Sequence, residues 1–170
     1  MGRVLSRAMS EQLDLPDTRD RAALYAALAP QVRALLKGEN DVIAAMANMG
    51  AALKETFGWL WIGFYRVIGD ELVLGPFQGP IACARIARGR GVCGTAWAEA
   101  RTLTVPDVDQ FPGHIACSAL SRSEIVVPVM ARDGQVVAVL DIDSTMLDDF
   151  SDVDAIALGE LCKLLEPLFG

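Results

Sequence analysis

The chain carries four cysteines, Cys83, Cys93, Cys117 and Cys162, and a single histidine, His114. Three of the thiols fall in or beside stretches rich in glycine and proline. Cys83 and Cys93 lie in GPIACARIARGRGVCG, Cys93 where that stretch enters a short helix, and Cys117 lies in FPGHIACSAL. Loops permit the close approach of sulfurs that thiol–disulfide exchange demands. Any one of these cysteines judged alone reads equally well as a small buried hydrophobe. Cys162 lies among Leu161, Leu164 and Leu165, where a buried inert thiol is the simpler reading. A zinc site from Cys83, Cys93, Cys117 and His114 is not expected, because no C-x2-C pair exists. His114 stands three residues before Cys117 and could favour its thiolate electrostatically, although a turn histidine bonded to backbone is the more ordinary account.

Carboxylates and aromatics form the second group. Asp141 and Asp143 are two apart in an extended pattern, so both point to one face while Leu140 and Ile142 take the other. Glu124 opens the neighbouring strand region, and three converging acids would suit a ligand with an ammonium group; solvated edge charges are the plainer alternative. Trp59, Trp61 and Tyr65 likewise share a face, with Gly63 leaving a gap in the side-chain row where a thioether or methyl sulfoxide could sit against rings. Gly89, Gly91 and Gly94 spell G-x-G-x-x-G, but that motif binds dinucleotides only inside a βαβ unit, and the neighbours here read as hairpins.

These residues must be positioned by the elements that the hydrophobic pattern marks out. Leu24, Leu28, Val32, Leu35 and Leu36 recur at helical spacing after the candidate caps Asp17-Thr18, with a bend or split expected at Pro30 and a stop at Gly38. A second helix, capped by Asn40, runs through DVIAAMANMGAALKETF to Gly58, its methionine stripe reading as core. WLWIGFYRV and ELVLGPFQ read as strands joined at Gly69-Asp70. A helix follows around Val92 to Ala100 and a short strand at Thr102 to Val105. Beyond a long loop, EIVVPVMAR and QVVAVLDID form a hairpin about Asp133-Gly134, and a last helix begins after Ser151. This order suits an α+β fold, an antiparallel sheet with helices segregated to one face.

At 170 residues and 52% hydrophobic content the chain fits one domain, expected over residues 16–170 behind a flexible leader at 1–15. The leader lacks a continuous apolar stretch and a cleavage site, so no secretory signal is read in it, and the Gly2…Ser6 match to a myristoylation pattern is discounted. No apolar run approaches the roughly 20 residues of a membrane span. A net charge of −7 opposes a nucleic-acid partner. A cytoplasmic protein is expected, where thiols stay reduced.

Taken together, GPFQGPIAC, GRGVCGTA, VPDV, FPGHIAC, SRSEIVVPV and VLDIDS resemble, in order and spacing, the free methionine-(R)-sulfoxide reductases of the GAF-domain superfamily, over about residues 20–168. The resemblance implies a GAF-like fold, with a six-stranded antiparallel sheet, helices packed on one face, and a pocket under the cysteine-bearing loops. It implies Cys117 as nucleophile, Cys83 as the thiol that resolves it, and Cys93 as an auxiliary thiol. Trp61, Tyr65, Glu124, Asp141 and Asp143 would hold free methionine sulfoxide, and a homodimer would be compatible with the fold. The sequence departs from the family pattern at Ser118, Leu120 and Ala87-Arg88, changes that bear on the tightness of the pocket.

The expected reaction has the Cys117 thiolate attack the sulfoxide sulfur while Asp143 or Glu124 protonates the departing oxygen. The resulting sulfenic acid condenses with Cys83, and thioredoxin reopens the disulfide, with no metal or organic cofactor bound. Nearby acids oppose ionisation of a thiol whose free pKa is about 8.5, so substrate binding is expected to create the reactive state. The competing readings are a GAF-type sensory module for a small ligand, which fold alone does not exclude, and a redox switch without turnover.

Overall fold

In the computed structural model the described residues are 12–115 and 117–169. Most of the expected leader lies outside them. Where it is described the segment is docked, with Leu13 and Leu15 packed on the helical core and the Asp14 N–H donating to Gln31 Oε1 at 2.8 Å.

Helix α1, Arg21–Leu35, is capped by Asp20, which accepts from the Ala22 N–H. The expected break does not occur: Pro30 is carried inside one helix. Helix α2, Val42–Phe57, is capped by Asp41, whose Oδ1 accepts from the N–H groups of Ile43 and Ala44 at 2.8 and 2.9 Å. In both helices the cap is an aspartate one to three residues beyond the one expected. Asp41 reaches two free N–H groups, which favours it over Asn40. Gly58 closes α2 at φ +68°, a left-handed conformation that favours glycine.

Strands β1, Trp61–Ile68, and β2, Glu71–Gln78, form the first hairpin. A third strand, β3, Arg85–Ala87, pairs with β2 inside the stretch that the hydrophobic pattern leaves as loop. At three residues, with only Ile86 buried, it is too short for alternation to register. Helix α3, Gly91–Glu99, leads to β4, Leu103–Val105; then come β5, Ser123–Met130, β6, Val136–Ser144, and α4, Asp152–Cys162, which runs on as a 3₁₀ segment, Lys163–Phe169. The sheet order is β3-β2-β1-β6-β5-β4, with every neighbouring pair antiparallel.

Alternation along the strands divides the interior in two. Ile62, Phe64, Ile125, Val127, Leu140 and Ile142 face one way and meet α1, α2 and α4 through Leu28, Met46, Met49, Leu53 and Leu158. Trp61, Tyr65, Val126 and Val139 face the other way. The helical layer is the one expected, but α3 sits on the opposite face, packing Val92, Cys93, Ala96 and Trp97 against the sheet. It is buried at most of its length, so it lacks the polar stripe that would have assigned it a side. Its seat is tight, because a Cβ on Gly94 would lie 2.4 Å from the Ala87 carbonyl oxygen. Among the described residues no helix is long and apolar enough to cross a membrane.

Candidate active site

The face of the sheet under α3 carries the acids. Asp141 and Asp143 project from β6, and Glu124 is the β5 residue directly opposite Asp143. β1 supplies Trp61 and Tyr65 from the other side of β6, where Trp61 pairs with Asp143. The pocket between them is roofed by residues 80–82, by the start of α3 and by the 114–121 loop. The sequence argument placed Asp141 and Asp143 on one face and Leu140 and Ile142 on the other, and the strand follows it.

The aromatic wall differs from expectation in two respects. Trp59 precedes β1 and belongs to the opposite layer, stacked on Phe57 at 4.4 Å between centroids. The two-residue periodicity holds only inside a strand, and β1 begins at Trp61. Nor does Gly63 leave an open gap: a Cβ there would meet the Trp61 ring at 2.5 Å and Phe77 Cβ at 2.4 Å. The Trp61 ring fills the missing side chain's place, near-parallel to Tyr65 and Phe77 at 5.9 and 5.3 Å, and its Nε1 donates to the Pro80 carbonyl at 3.0 Å. The ring edge that the pocket meets is thereby fixed.

Four cysteines are free thiols. Cys117 is on the exposed loop, yet its sulfur turns inward to hydrogen-bond with the Cys83 thiol. Desolvation first, then that hydrogen bond, push its pKa up to about 12. Cys93, in the first turn of α3, is 4% exposed and hydrogen-bonds to Asp141. Burial, followed by the charges of Asp141 and Glu124, holds its thiol well above the usual range, which outweighs any benefit from the helix N-terminus. Cys162 is buried in α4, on the far face, where desolvation alone raises it to about 12.

Glu124 and Asp141 are buried and hydrogen-bonded to each other. Burial is the main cause of their raised proton affinity and like charge the second, so the pair keeps a proton well above the ordinary carboxylate range. Asp143 is raised less freely: burial pushes it up, while Ser121 Oγ, donating to its Oδ1 at 2.5 Å, and the nearby His114 pull it back. Asp141 Oδ1 is buried without a hydrogen-bond partner.

His114 lies against the acids. Its Nε2 lies 3.6 Å from Glu124 Oε2, because the loop turns after Phe111 and sends the ring to the acids. Cys93, Cys117, Trp61, Tyr65, Glu124, Asp141 and Asp143 are thus brought together around one pocket, with Cys83 joined to it through its hydrogen bond to Cys117. Ser121, Ile81, Ile86 and Ile115 also line or brace it. Their roles had no signal in the sequence, since a serine or isoleucine among loop residues has no spacing that marks it. The arrangement can hold a small polar ligand with its oxygen or cation against the acids, its apolar end against rings, and a thiol pair at its side.

Comparison with known proteins places this geometry. The sequence profile of the GAF domain matches residues 39–167. The free methionine-R-sulfoxide reductase of Escherichia coli is 47% identical over 148 residues, covering 86% of this chain and 89% of that one. GAF domain-containing protein A of Dictyostelium discoideum is 53% identical over 159 residues, covering 93% and 99%. Among solved structures, free methionine-R-sulfoxide reductase from Neisseria meningitidis, in complex with its substrate, superposes with a TM-score of 0.90 at 54% identity, over 94% of this chain and 95% of that one.

Proposed function

We propose, starting from the fact that this chain belongs to the GAF-domain family and within it to the free methionine-R-sulfoxide reductases, that it reduces free L-methionine-(R)-sulfoxide to methionine in the cytoplasm. The observation that carries the reading is a proton-holding carboxyl pair, Glu124 and Asp141, in the same pocket as Cys117, whose thiol is hydrogen-bonded to that of Cys83.

The methyl sulfoxide end sits against Trp61 and Tyr65, and the sulfoxide oxygen takes a proton from the acid pair. Glu124 is the better donor, because Ser121 and His114 draw Asp143 back toward ionisation. Cys117 gives an electron pair to the sulfoxide sulfur; oxygen passes to the cysteine, leaving methionine and a sulfenic acid. The Cys83 thiol then attacks Cys117 sulfur, water leaves, and a disulfide forms that a thioredoxin-type dithiol reduces. The chemistry calls on no metal or organic cofactor. Restriction to the free amino acid follows if an ammonium group, absent from a peptide-linked residue, partners the orphaned Asp141 Oδ1.

The test is methionine release from separate R and S free methionine sulfoxide with thioredoxin recycling. Turnover of the R form is expected, with loss in Cys117→Ser and a single turnover in Cys83→Ser. Absence of methionine from either form with folded, reduced protein would sink the reading and leave a ligand-binding GAF module.

A further inference from the structure

The pocket contains a second donor set beside the redox pair. Cys93 Sγ and one oxygen each from Glu124 and Asp141 lie within 4.8 Å of one another, all buried, and they arrive from α3, β5 and β6. Asp141, in the middle of this cluster, is 7% exposed and its Oδ1 is buried with no hydrogen-bond partner, a polar atom left without the contact that a cation would supply.

One sulfur and two carboxylate oxygens match the ligand preferences of zinc, which takes thiolate at about 2.3 Å and carboxylate at about 2.0–2.2 Å in a tetrahedron. Calcium and magnesium prefer oxygen ligands alone, and the sulfur selects against them. Ligand atoms around such a centre stand roughly 3.3–3.8 Å apart, and the three donors already lie within 4.8 Å of one another.

We propose that the reduced pocket binds one thiophilic divalent cation of the zinc class at Cys93, Glu124 and Asp141, in competition with the amino-acid substrate. The fourth position falls to water or to His114, whose Nε2 is 3.6 Å from Glu124 Oε2. Access is through the pocket mouth, beside Cys117 and the 92% exposed Ile81. On binding, the cation takes electron pairs from the Cys93 sulfur and the two carboxylates, and the thiol proton and the proton of the acid pair pass to solvent, with no change of oxidation state. It acts as a blocker, because it occupies the acids that would meet the ligand's oxygen and ammonium. The cation site itself is measured without substrate and stands apart from the reductase reading; only the competition rests on that reading.

The experiment titrates reduced full-length protein with cadmium, following sulfur-to-metal charge-transfer absorption in the ultraviolet, and then displaces cadmium with zinc. One cation per chain is expected, with the absorption of a single thiolate. That signal should persist in the Cys83→Ser/Cys117→Ser double variant, vanish in Cys93→Ser, and require on the order of a hundredfold more cation in Asp141→Asn. Free methionine sulfoxide should raise the cation concentration needed. The absorption of two thiolates, a signal that survives Cys93→Ser or disappears in the double variant, no binding of either cation, or, in a protein that releases methionine, no competition by methionine sulfoxide would each overturn the proposal. The thiolate count on the unaltered protein decides even if Cys93→Ser fails to fold. A protein that binds the cation but releases no methionine would retire the proposed function and leave this site standing.

Discussion

At the scale of single residues, the pocket works by holding protons on groups that usually lose them. With its pKa pushed up to about 12, Cys117 is a thiol at neutral pH in the free protein. Alkylation of Cys117 by iodoacetamide at pH 7 should therefore be slower than that of free cysteine, with a rate still climbing above pH 10; a plateau near pH 8 would contradict it. Glu124 gives an opposed pair of effects. Its folded-state proton affinity exceeds the unfolded value of about 4.3. The stabilisation attached to that proton is therefore complete below about pH 4, and it is lost as pH rises through the raised value. Glu124→Gln removes a buried group that resists ionising, so the variant should be more stable at pH 7 by about 0.5–2 kcal/mol, with the gain over wild type growing from pH 4 upward. Its methionine release should fall by about a hundredfold or more. Urea unfolding across pH and a turnover assay on the same sample measure both.

At the scale of elements, the site depends on α3 lying close against the loop after β3. Gly91, at φ +60°, starts the helix with its Cβ position 3.2 Å from Ile115, and Gly94 passes the Ala87 carbonyl with no room for a methyl. Gly94→Ala forces backbone apart rather than a flexible side chain, so a loss of about 1–3 kcal/mol is expected, together with reduced turnover because Cys93 and the pocket roof move. Normal stability and turnover in that variant would show that α3 is looser than its packing. Gly91 and Gly94 of G-x-G-x-x-G thus serve close approach in an antiparallel fold, and Gly89, at φ +77°, serves a turn; the dinucleotide reading fails because α3 follows a strand of a meander and not of a βαβ unit.

At the scale of the whole molecule, the helical layer is tied to the end of β6 by a polar cluster on the side of the sheet away from the pocket. Arg21 of α1 pairs with Asp149 and with Asp154 of α4; Tyr25 donates to Asp154 at 2.9 Å, and Asp149 accepts from Ser144 at the end of β6. The guanidinium also lies 5.1 Å over Trp59. Asp154 is 1% exposed, so Arg21→Met leaves a buried carboxylate with only neutral donors. A loss of about 1–3 kcal/mol is expected, discounted because Arg21 itself is part-exposed, and chemical denaturation reads it.

What the sequence by itself determined is whatever short-range periodicity and local capping control. Alternation set Asp141 and Asp143 against Leu140 and Ile142, helical spacing marked α1, α2 and α4, and Gly58, Gly69 and Gly134 marked ends and turns. The six motifs in register pointed to the family. Tertiary structure alone decided the rest, because it depends on contacts between residues far apart in the chain. β3 exists only because β2 offers an edge, and α3 takes the pocket side only because the other face is already covered. Trp59 and Trp61 part to opposite layers, and His114 comes to lie beside Glu124. Burial of three acids and a thiol beside one another, which makes them proton-holding, is a property of no segment; it arises where β5, β6 and α3 meet and exclude water.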